Sequence, residues 1–393
     1  MVYVPGYYEF ACPVKILSGN QALLNLPYEL ELLGAAKPMV ITDPGVVAAG
    51  LLDRVKNAFE GAQASVGAIY ADTPVDSSDR VVGEVARRYR ESGCDCLVAV
   101  GGGSCMDTAK GAAIMLSENT DDLLKYQGAE RLKKRRMPFV AIPTTAGTGS
   151  EVTCPAVIAN VGKGIKMAIT AYALMPDVAI LDPKMTLSAP PRLTAATGMD
   201  AMTHAVEASY CLQKNPVSDA LATAAIRLVM ANLVRTVEHG GDEQARLAMA
   251  NAALLAGMAF SNSMVGMVHS LAHAAGGVAH VPHGVANAIF LPWGVEYNIP
   301  KCAPFIAELA PVMGIGITSA DAKDQARAVV GAVRNLTARL NALCGLPLRL
   351  RDAGVREEQL EAIAQAAIND GTVVMNPEEL TFADALGVLK KAF

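Results

Sequence analysis

Cys96-Leu97-Val98-Ala99-Val100-Gly101-Gly102-Gly103-Ser104 is an unbroken apolar run that ends in three glycines. Consecutive apolar residues without alternation suit a strand buried on both faces, the condition of a parallel sheet covered by helices. The glycines predict a tight turn, with a helix beginning near Met106. In such a turn backbone N–H groups can approach a phosphate, and the helix dipole favours its negative charge. The spacing is not Gly-x-Gly-x-x-Gly, so the common dinucleotide fingerprint is absent.

The same pattern recurs on either side. Pro38-Met39-Val40-Ile41-Thr42, Ser65 to Tyr70, Pro138-Phe139-Val140-Ala141-Ile142 and Val178-Ala179-Ile180-Leu181 predict strands, with helices from about Gly45 to Phe59 and from Ser77 to Glu91. Strands alternating with helices predict an α/β domain built on a parallel sheet. The pattern changes near Asp182-Pro183 and Pro190-Pro191. Beyond there, Val217 to Glu238, Gln244 to Phe260, Ser263 to Ala275, Ala320 to Cys344 and Glu357 to Ile368 all have helical periodicity. The expected organisation is an α/β nucleotide-binding domain over 1–185 and an all-α domain over 186–393 that holds metal and substrate.

Composition narrows the partners. A net charge of −5 over 393 residues offers no basic stripe for a phosphate backbone, so nucleic acid is not expected. Met1-Val2-Tyr3-Val4-Pro5 lacks the basic and apolar regions of a secretory signal. The apolar stretch Leu247 to Phe260 carries Asn251 and falls short of the ~20 residues of a membrane span, which predicts a core helix and no membrane partner. Eight cysteines are scattered, and only Cys94 and Cys96 are close, at neither a redox nor a zinc spacing. Reduced thiols in a cytoplasmic protein are the expectation.

A second loop resembles the glycine turn in its chemistry. Ile142-Pro143-Thr144-Thr145-Ala146-Gly147-Thr148-Gly149-Ser150-Glu151 follows another apolar strand and offers hydroxyls suited to phosphate, ribose or a nicotinamide amide. Two small-residue loops at strand C-termini are where open α/β sheets bind ligands. Asp43, at the end of Val40-Ile41-Thr42, can accept from a ribose 2′-hydroxyl and would repel a 2′-phosphate, so NAD is expected over NADP. Its alternative is a plain Asp-Pro turn.

Four of the six histidines, His269, His273, His280 and His283, lie between Arg246 and Glu296, a stretch without a single Asp, Glu, Lys or Arg. Buried imidazoles need partners, because an unpaired buried polar group costs roughly 1–3 kcal/mol. Upstream, Asp200 and His204 are four apart and share one face of a helix. With His269 and His283 they form a candidate one-carboxylate, three-imidazole site for a divalent metal. Mixed nitrogen and oxygen ligation suits Fe2+ and Zn2+ alike. The helical half contributes no Lys or Arg from Leu247 to Val295, which favours small neutral substrates over anions.

Gly101-Gly102-Gly103-Ser104 with Asp107 and Lys110, Pro143-Thr144-Thr145-Ala146-Gly147-Thr148-Gly149-Ser150-Glu151-Val152-Thr153, Gly198-Met199-Asp200-Ala201-Met202-Thr203-His204-Ala205-Val206-Glu207, His269-Ser270-Leu271-Ala272-His273 and Pro282-His283-Gly284 together resemble the iron-containing (group III) alcohol dehydrogenases. The resemblance runs in order over nearly the whole chain. It implies two domains with a cleft between them, NAD(P)-linked interconversion of alcohols with aldehydes or ketones, and iron as the metal. It places the metal ligands on Asp200, His204, His269 and His283. His273 would lie beside the substrate as a proton relay, Phe260 beside nicotinamide and substrate, and Lys166 against the cofactor ribose. Gly101, Gly102, Gly103, Ser104, Asp107, Thr144, Thr145 and Thr148 would line the cofactor. Cys105 stands where many relatives have proline, and Pro155 where some have an asparagine that contacts the cofactor; His280 is a rival fourth ligand.

The expected function is metal-dependent, NAD-linked hydride transfer between small neutral primary alcohols or diols and their aldehydes, in a homodimer or larger homo-oligomer. A zinc-type glycerol or polyol dehydrogenase and a dehydroquinate synthase-like lyase are the alternatives.

Overall fold

The computed structural model describes residues 3–316 and 319–393, so Met1 and Val2 of the stretch read for a signal lie outside it. The chain divides into two compact units. One is Ala11–Ser188; the other is Ala189–Phe393 together with the N-terminal residues up to Phe10.

The strands of the first unit are β1 (Lys15–Ser18), β2 (Pro38–Ile41), β3 (Ala68–Tyr70), β4 (Cys96–Gly101), β5 (Gly128–Ala129), β6 (Phe139–Pro143), β7 (Pro155–Asn160), β8 (Ile165–Thr170) and β9 (Val178–Leu181). Six of them form one sheet in the order β1-β9-β6-β4-β2-β3, every neighbouring pair parallel. Side chains alternate across a strand, and here both faces are covered. Leu97 and Ala99 of β4 pack with Met39, Ile41, Phe139 and Ala141 on one side. Cys96, Val98 and Val100 pack with Val40, Val140, Ile142 and Ile180 on the other. Each such large side chain, fully buried, contributes about 1.5–3 kcal/mol.

Several expected boundaries move. The helix after β4 starts at Gly103 and runs to Glu118, ahead of the expected Met106, because glycine tolerates the first turn. The helix expected over Gly45 to Phe59 is two, Pro44–Ala48 and Leu51–Asn57, separated by Gly50 in the left-handed region at φ 70°. The strand expected from Ser65 pairs only from Ala68. A second sheet, β5-β8-β7, has no counterpart among the expected strands. Its β7 and β8 are antiparallel, and their residues are too mixed in polarity to announce a strand.

The second unit is helical. Pro191–Ala208 begins with proline at its first turn, and Asn215 and Asp242 cap the helices Pro216–Glu238 and Glu243–Ser263. Met267–Ala279 and His283–Ala307 follow, then Ala322–Cys344 and Leu360–Ile368. The expected Leu247 to Phe260 segment is the middle of Glu243–Ser263, which meets Met267–Ala279 at a bend of 104°. By length and composition alone, Pro216–Glu238 could span a membrane. The helix from His283 contains Pro292, Pro300 and Pro304, whose missing N–H groups ordinarily signal a break. Periodicity therefore does not reveal it.

Candidate active site

Asp200 and His204 lie one turn apart on Pro191–Ala208, His269 is in the first turn of Met267–Ala279, and His283 opens His283–Ala307. One donor atom from each of the four lies within 4.8 Å of the others. From Asp200 Oδ1 the distances are 3.4 Å to His283 Nε2, 3.9 Å to His269 Nε2 and 3.9 Å to His204 Nδ1. Divalent first-row ions bind such donors at about 2.0–2.2 Å, so ligand atoms on opposite sides of one ion stand roughly 4 Å apart, and the cluster has the right span. Asp200, His204 and His269 are buried, whereas the His283 side chain is 39% exposed and forms the open side. Burial, with His204, His283 and His273 close by, holds His269 well below the ordinary imidazole range. A neutral ring keeps a lone pair for a metal.

Two supporting residues, Glu207 and Asn287, are not among the expected site residues. Glu207 is completely buried and accepts from Val268 N–H at 2.8 Å, and its Oε2 lies 2.6 Å from His269 Nδ1. Burial pushes its carboxyl up to about 7, against the backbone donors of Val268, Gly266 and His269. Asn287 lies one turn beyond His283, and its Nδ2 donates to Asp200 Oδ1 at 2.7 Å; the same atom is 3.1 Å from His283 Nε2 and 3.3 Å from His269 Nε2. Among the described residues its Oδ1 is buried without a hydrogen-bond partner. Helical spacing from His204 to Glu207 and from His283 to Asn287 is the only hint the sequence holds.

In the α/β unit the glycine turn and the threonine loop leave adjacent parallel strands at one level, with Gly101 paired to Pro143. Thr144 N–H donates to the Gly101 carbonyl at 3.1 Å. A Cβ on Gly102 would sit 3.3 Å from Thr145 Oγ1, and one on Gly103 would sit 3.2 Å from Thr148 Cγ2. The two loops therefore touch through the faces where glycine has no side chain. No side chain caps the helix at Gly102, which leaves its first N–H groups for a ligand. Buried Lys110 ties the end of the threonine loop and the start of β7 to that helix by donating to Ser150 Oγ, Thr153 O and Pro155 O, each at 2.9 Å.

Other expected cofactor residues already have protein partners. Asp43 caps Pro44–Ala48 through Val46 N–H at 2.9 Å, and its second oxygen is 3.4 Å from Cys105 Sγ. The Asp-Pro turn is thus present, and Asp43 also stands against the glycine turn. Ser104 Oγ donates to Val75 O, Asp107 accepts from Val157 N–H at 3.2 Å, and Lys166 pairs with Asp76 at 3.0 Å. The Asp107 contact fastens β7 to the glycine-turn helix.

Burial pushes Glu151 up to about 7 and Asp107 up to about 6, in spite of Lys110 nearby. A carboxyl with a raised folded pKa binds more protons folded than unfolded, so its stabilising effect is full at low pH and fades as pH rises through the folded value. The parent is therefore expected to lose stability relative to Glu151→Gln between pH 5 and 8, by roughly 1–3 kcal/mol. Denaturant midpoints across that range check this; parallel curves would contradict it.

The iron-containing alcohol dehydrogenase family model matches residues 13–183, and the C-terminal model of the same family matches 194–393. The chain belongs to the iron-containing alcohol dehydrogenase family. It is 38% identical over 388 residues to the 1,3-propanediol dehydrogenase of Klebsiella pneumoniae, covering 98% of this chain and 99% of that one. It is 35% identical to the NAD-dependent methanol dehydrogenase of Bacillus methanolicus, with 98% and 99% covered. Among solved structures, a 1,3-propanediol oxidoreductase superposes with a TM-score of 0.95 at 38% identity, over 98% of this chain and 100% of that one. The protein is accordingly an oxidoreductase of the alcohol dehydrogenase class.

In this iron-containing alcohol dehydrogenase, the remaining expected residues gather around the four-donor cluster unequally. Phe260 stacks on His204, with ring centroids 4.1 Å apart and planes 13° from parallel. His273 lies one turn past His269, and its ring stacks on His283 at 5.3 Å. Its Nδ1 is 3.0 Å from Asp370 Oδ2. Burial opposes ionisation of Asp370, but hydrogen bonds from His273 and Thr372 outweigh it and hold the carboxyl low. His280 is the left-handed C-cap of its helix, exposed and outside the cluster.

Proposed function

We propose that this protein is an NAD-linked, divalent-metal alcohol dehydrogenase acting on small neutral primary alcohols or diols and their aldehydes. The observation that carries the proposal is the cluster of Asp200, His204, His269 and His283, three of them buried, with donor atoms within 4.8 Å. A divalent ion held there supplies a Lewis acid that makes an alcohol hydroxyl more acidic. NAD, which the Bacillus methanolicus relative uses by name, supplies the hydride acceptor. Iron is the proposed ion from family membership, with Zn2+ compatible with the same donors.

The chain's own groups have separable roles. The glycine-turn amides of Gly101, Gly102, Gly103 and Ser104 and the hydroxyls of Thr144, Thr145 and Thr148 bind the cofactor phosphates and ribose, and Lys166 adds positive charge. Asp107 shapes that wall through Val157. Asp370 accepts from His273 Nδ1, so Nε2 is the ring atom left to take a proton from the substrate side. Phe260 covers one face of His204 and keeps water from it. The absence of Lys and Arg from Leu247 to Val295 disfavours anionic substrates. We further propose a cytoplasmic homodimer or larger homo-oligomer with no nucleic-acid or membrane partner, in keeping with the chain's net charge of −5.

Anaerobic purification, elemental analysis and an NADH-linked screen over alcohols and aldehydes of increasing length test the proposal. Turnover by fully metal-stripped protein would sink it. For the cofactor, Asp43→Asn keeps the helix cap yet removes the charge. It is expected to shift the NADP-to-NAD ratio of kcat/KM towards NADP by about 10–100-fold, the weight of a charged hydrogen bond. An unchanged ratio would remove Asp43 from cofactor selection.

A further inference from the structure

Glu207 faces the helix that carries the next ligand. Its Oε1 accepts from Val268 N–H at 2.8 Å; its Oε2 accepts from His269 N–H at 3.4 Å and lies 2.6 Å from His269 Nδ1. That helix has no side-chain cap at Gly266, so Glu207 and Asn376, which accepts from Met267 N–H at 3.2 Å, satisfy its first donors. A Cβ on Gly266 would stand 2.7 Å from Asn376 Oδ1 and 3.2 Å from Glu207 Oε1, so both side chains press directly on the backbone.

We propose that Glu207 is the positioning residue that makes His269 a metal ligand, by holding the ring proton on Nδ1 and leaving the lone pair on Nε2. This rests on the four-residue metal site proposed above. A neutral imidazole carries one proton, and both Glu207 oxygens already accept from backbone N–H groups, so Oε2 faces Nδ1 as an acceptor. The proton therefore sits on Nδ1, and the lone pair is left on Nε2, 3.9 Å from Asp200 Oδ1. A glutamine cannot substitute in either orientation. With its amide nitrogen towards the ring it donates to Nδ1 and drives the proton to Nε2, where it blocks metal. With the amide reversed, its nitrogen opposes Val268 N–H. Carboxylates behind metal-bound histidines act in this way, and their loss typically weakens metal binding about 10–100-fold.

The test titrates Zn2+ into metal-free parent, Glu207→Gln and Asn376→Ala at pH 8, in competition with a chromophoric chelator, with thermal midpoints recorded before metal is added. Glu207→Gln is expected to bind Zn2+ about 10–100-fold more weakly. Asn376→Ala, which removes a helix cap but touches no ligand ring, is expected to lower the thermal midpoint and leave affinity near the parent's. Unchanged affinity in Glu207→Gln, or equal weakening in both variants, would reduce Glu207 to a helix cap and overturn the proposal. A parent that takes up no Zn2+ would instead overturn the metal site, and the role of Glu207 with it. Should Glu207→Gln fail to fold, histidine-15N NMR of the metal-free parent decides. The resonance lost in His269→Gln should report a proton on Nδ1; a proton on Nε2 overturns the proposal.

Discussion

His269→Ala is expected to strip the protein of its divalent ion and lower kcat/KM by about a thousandfold or more. A Lewis acid at the reacting oxygen is worth several kcal/mol, and each 1.36 kcal/mol is tenfold in rate. His269 is the most enclosed of the three rings, stacked 4.4 Å from His204, and no other described side chain in the cluster is placed to substitute for it. The variant also leaves Glu207 without its ring partner, which costs roughly 1–3 kcal/mol of stability. Elemental analysis with initial rates on a small alcohol and NAD checks both parts. Retained metal, or full activity without it, would end the assignment of His269.

Gly284→Ala is expected to damage the same centre without removing any ligand. A Cβ there would stand 2.4 Å from the Ala196 carbonyl oxygen and 2.8 Å from its carbon. Both obstacles are backbone, so no rotamer relieves them, and the helices starting at Pro191 and His283 must separate. Overpacking of this kind costs about 1–3 kcal/mol. Those two helices carry Asp200 and His283, and metal sites hold ligand distances within about 0.2 Å, so metal affinity should fall along with the thermal midpoint. Gly277→Ala is the control. It lies inside Met267–Ala279 with nothing within 4 Å of its Cβ, and should be neutral or stabilising by about 0.5–1 kcal/mol. Equal damage in the two variants would refute the steric account.

Pro282-His283-Gly284 thus combines two physical demands, a candidate metal ligand and a close helix approach. The ligand was legible because histidines in a segment without other charge require a partner. The approach was not, since no local pattern reports that Ala196 lies behind Gly284. The same division holds for the glycine turn and the threonine loop. Apolar runs ending in small residues marked the C-terminal ends of β4 and β6, whereas the meeting of Gly102 with Thr145 depends on strand order. Lys110 shows the difference most sharply: the sequence places it after the glycine turn, but only the structure shows it buried and donating to Ser150 Oγ, Thr153 O and Pro155 O.

Patterns short in sequence were therefore enough for the α/β-then-helical order, the buried strands and the four donors that the structure clusters, because burial and helical spacing act over a few residues. Chain crossings over tens of residues settled the rest. Glu207 and His269 are 62 positions apart, His273 and Asp370 97 apart, and Asn287 and Asp200 87 apart. A hydrogen bond leaves no periodic trace in a chain, so such partners come into view only when packing brings their helices together.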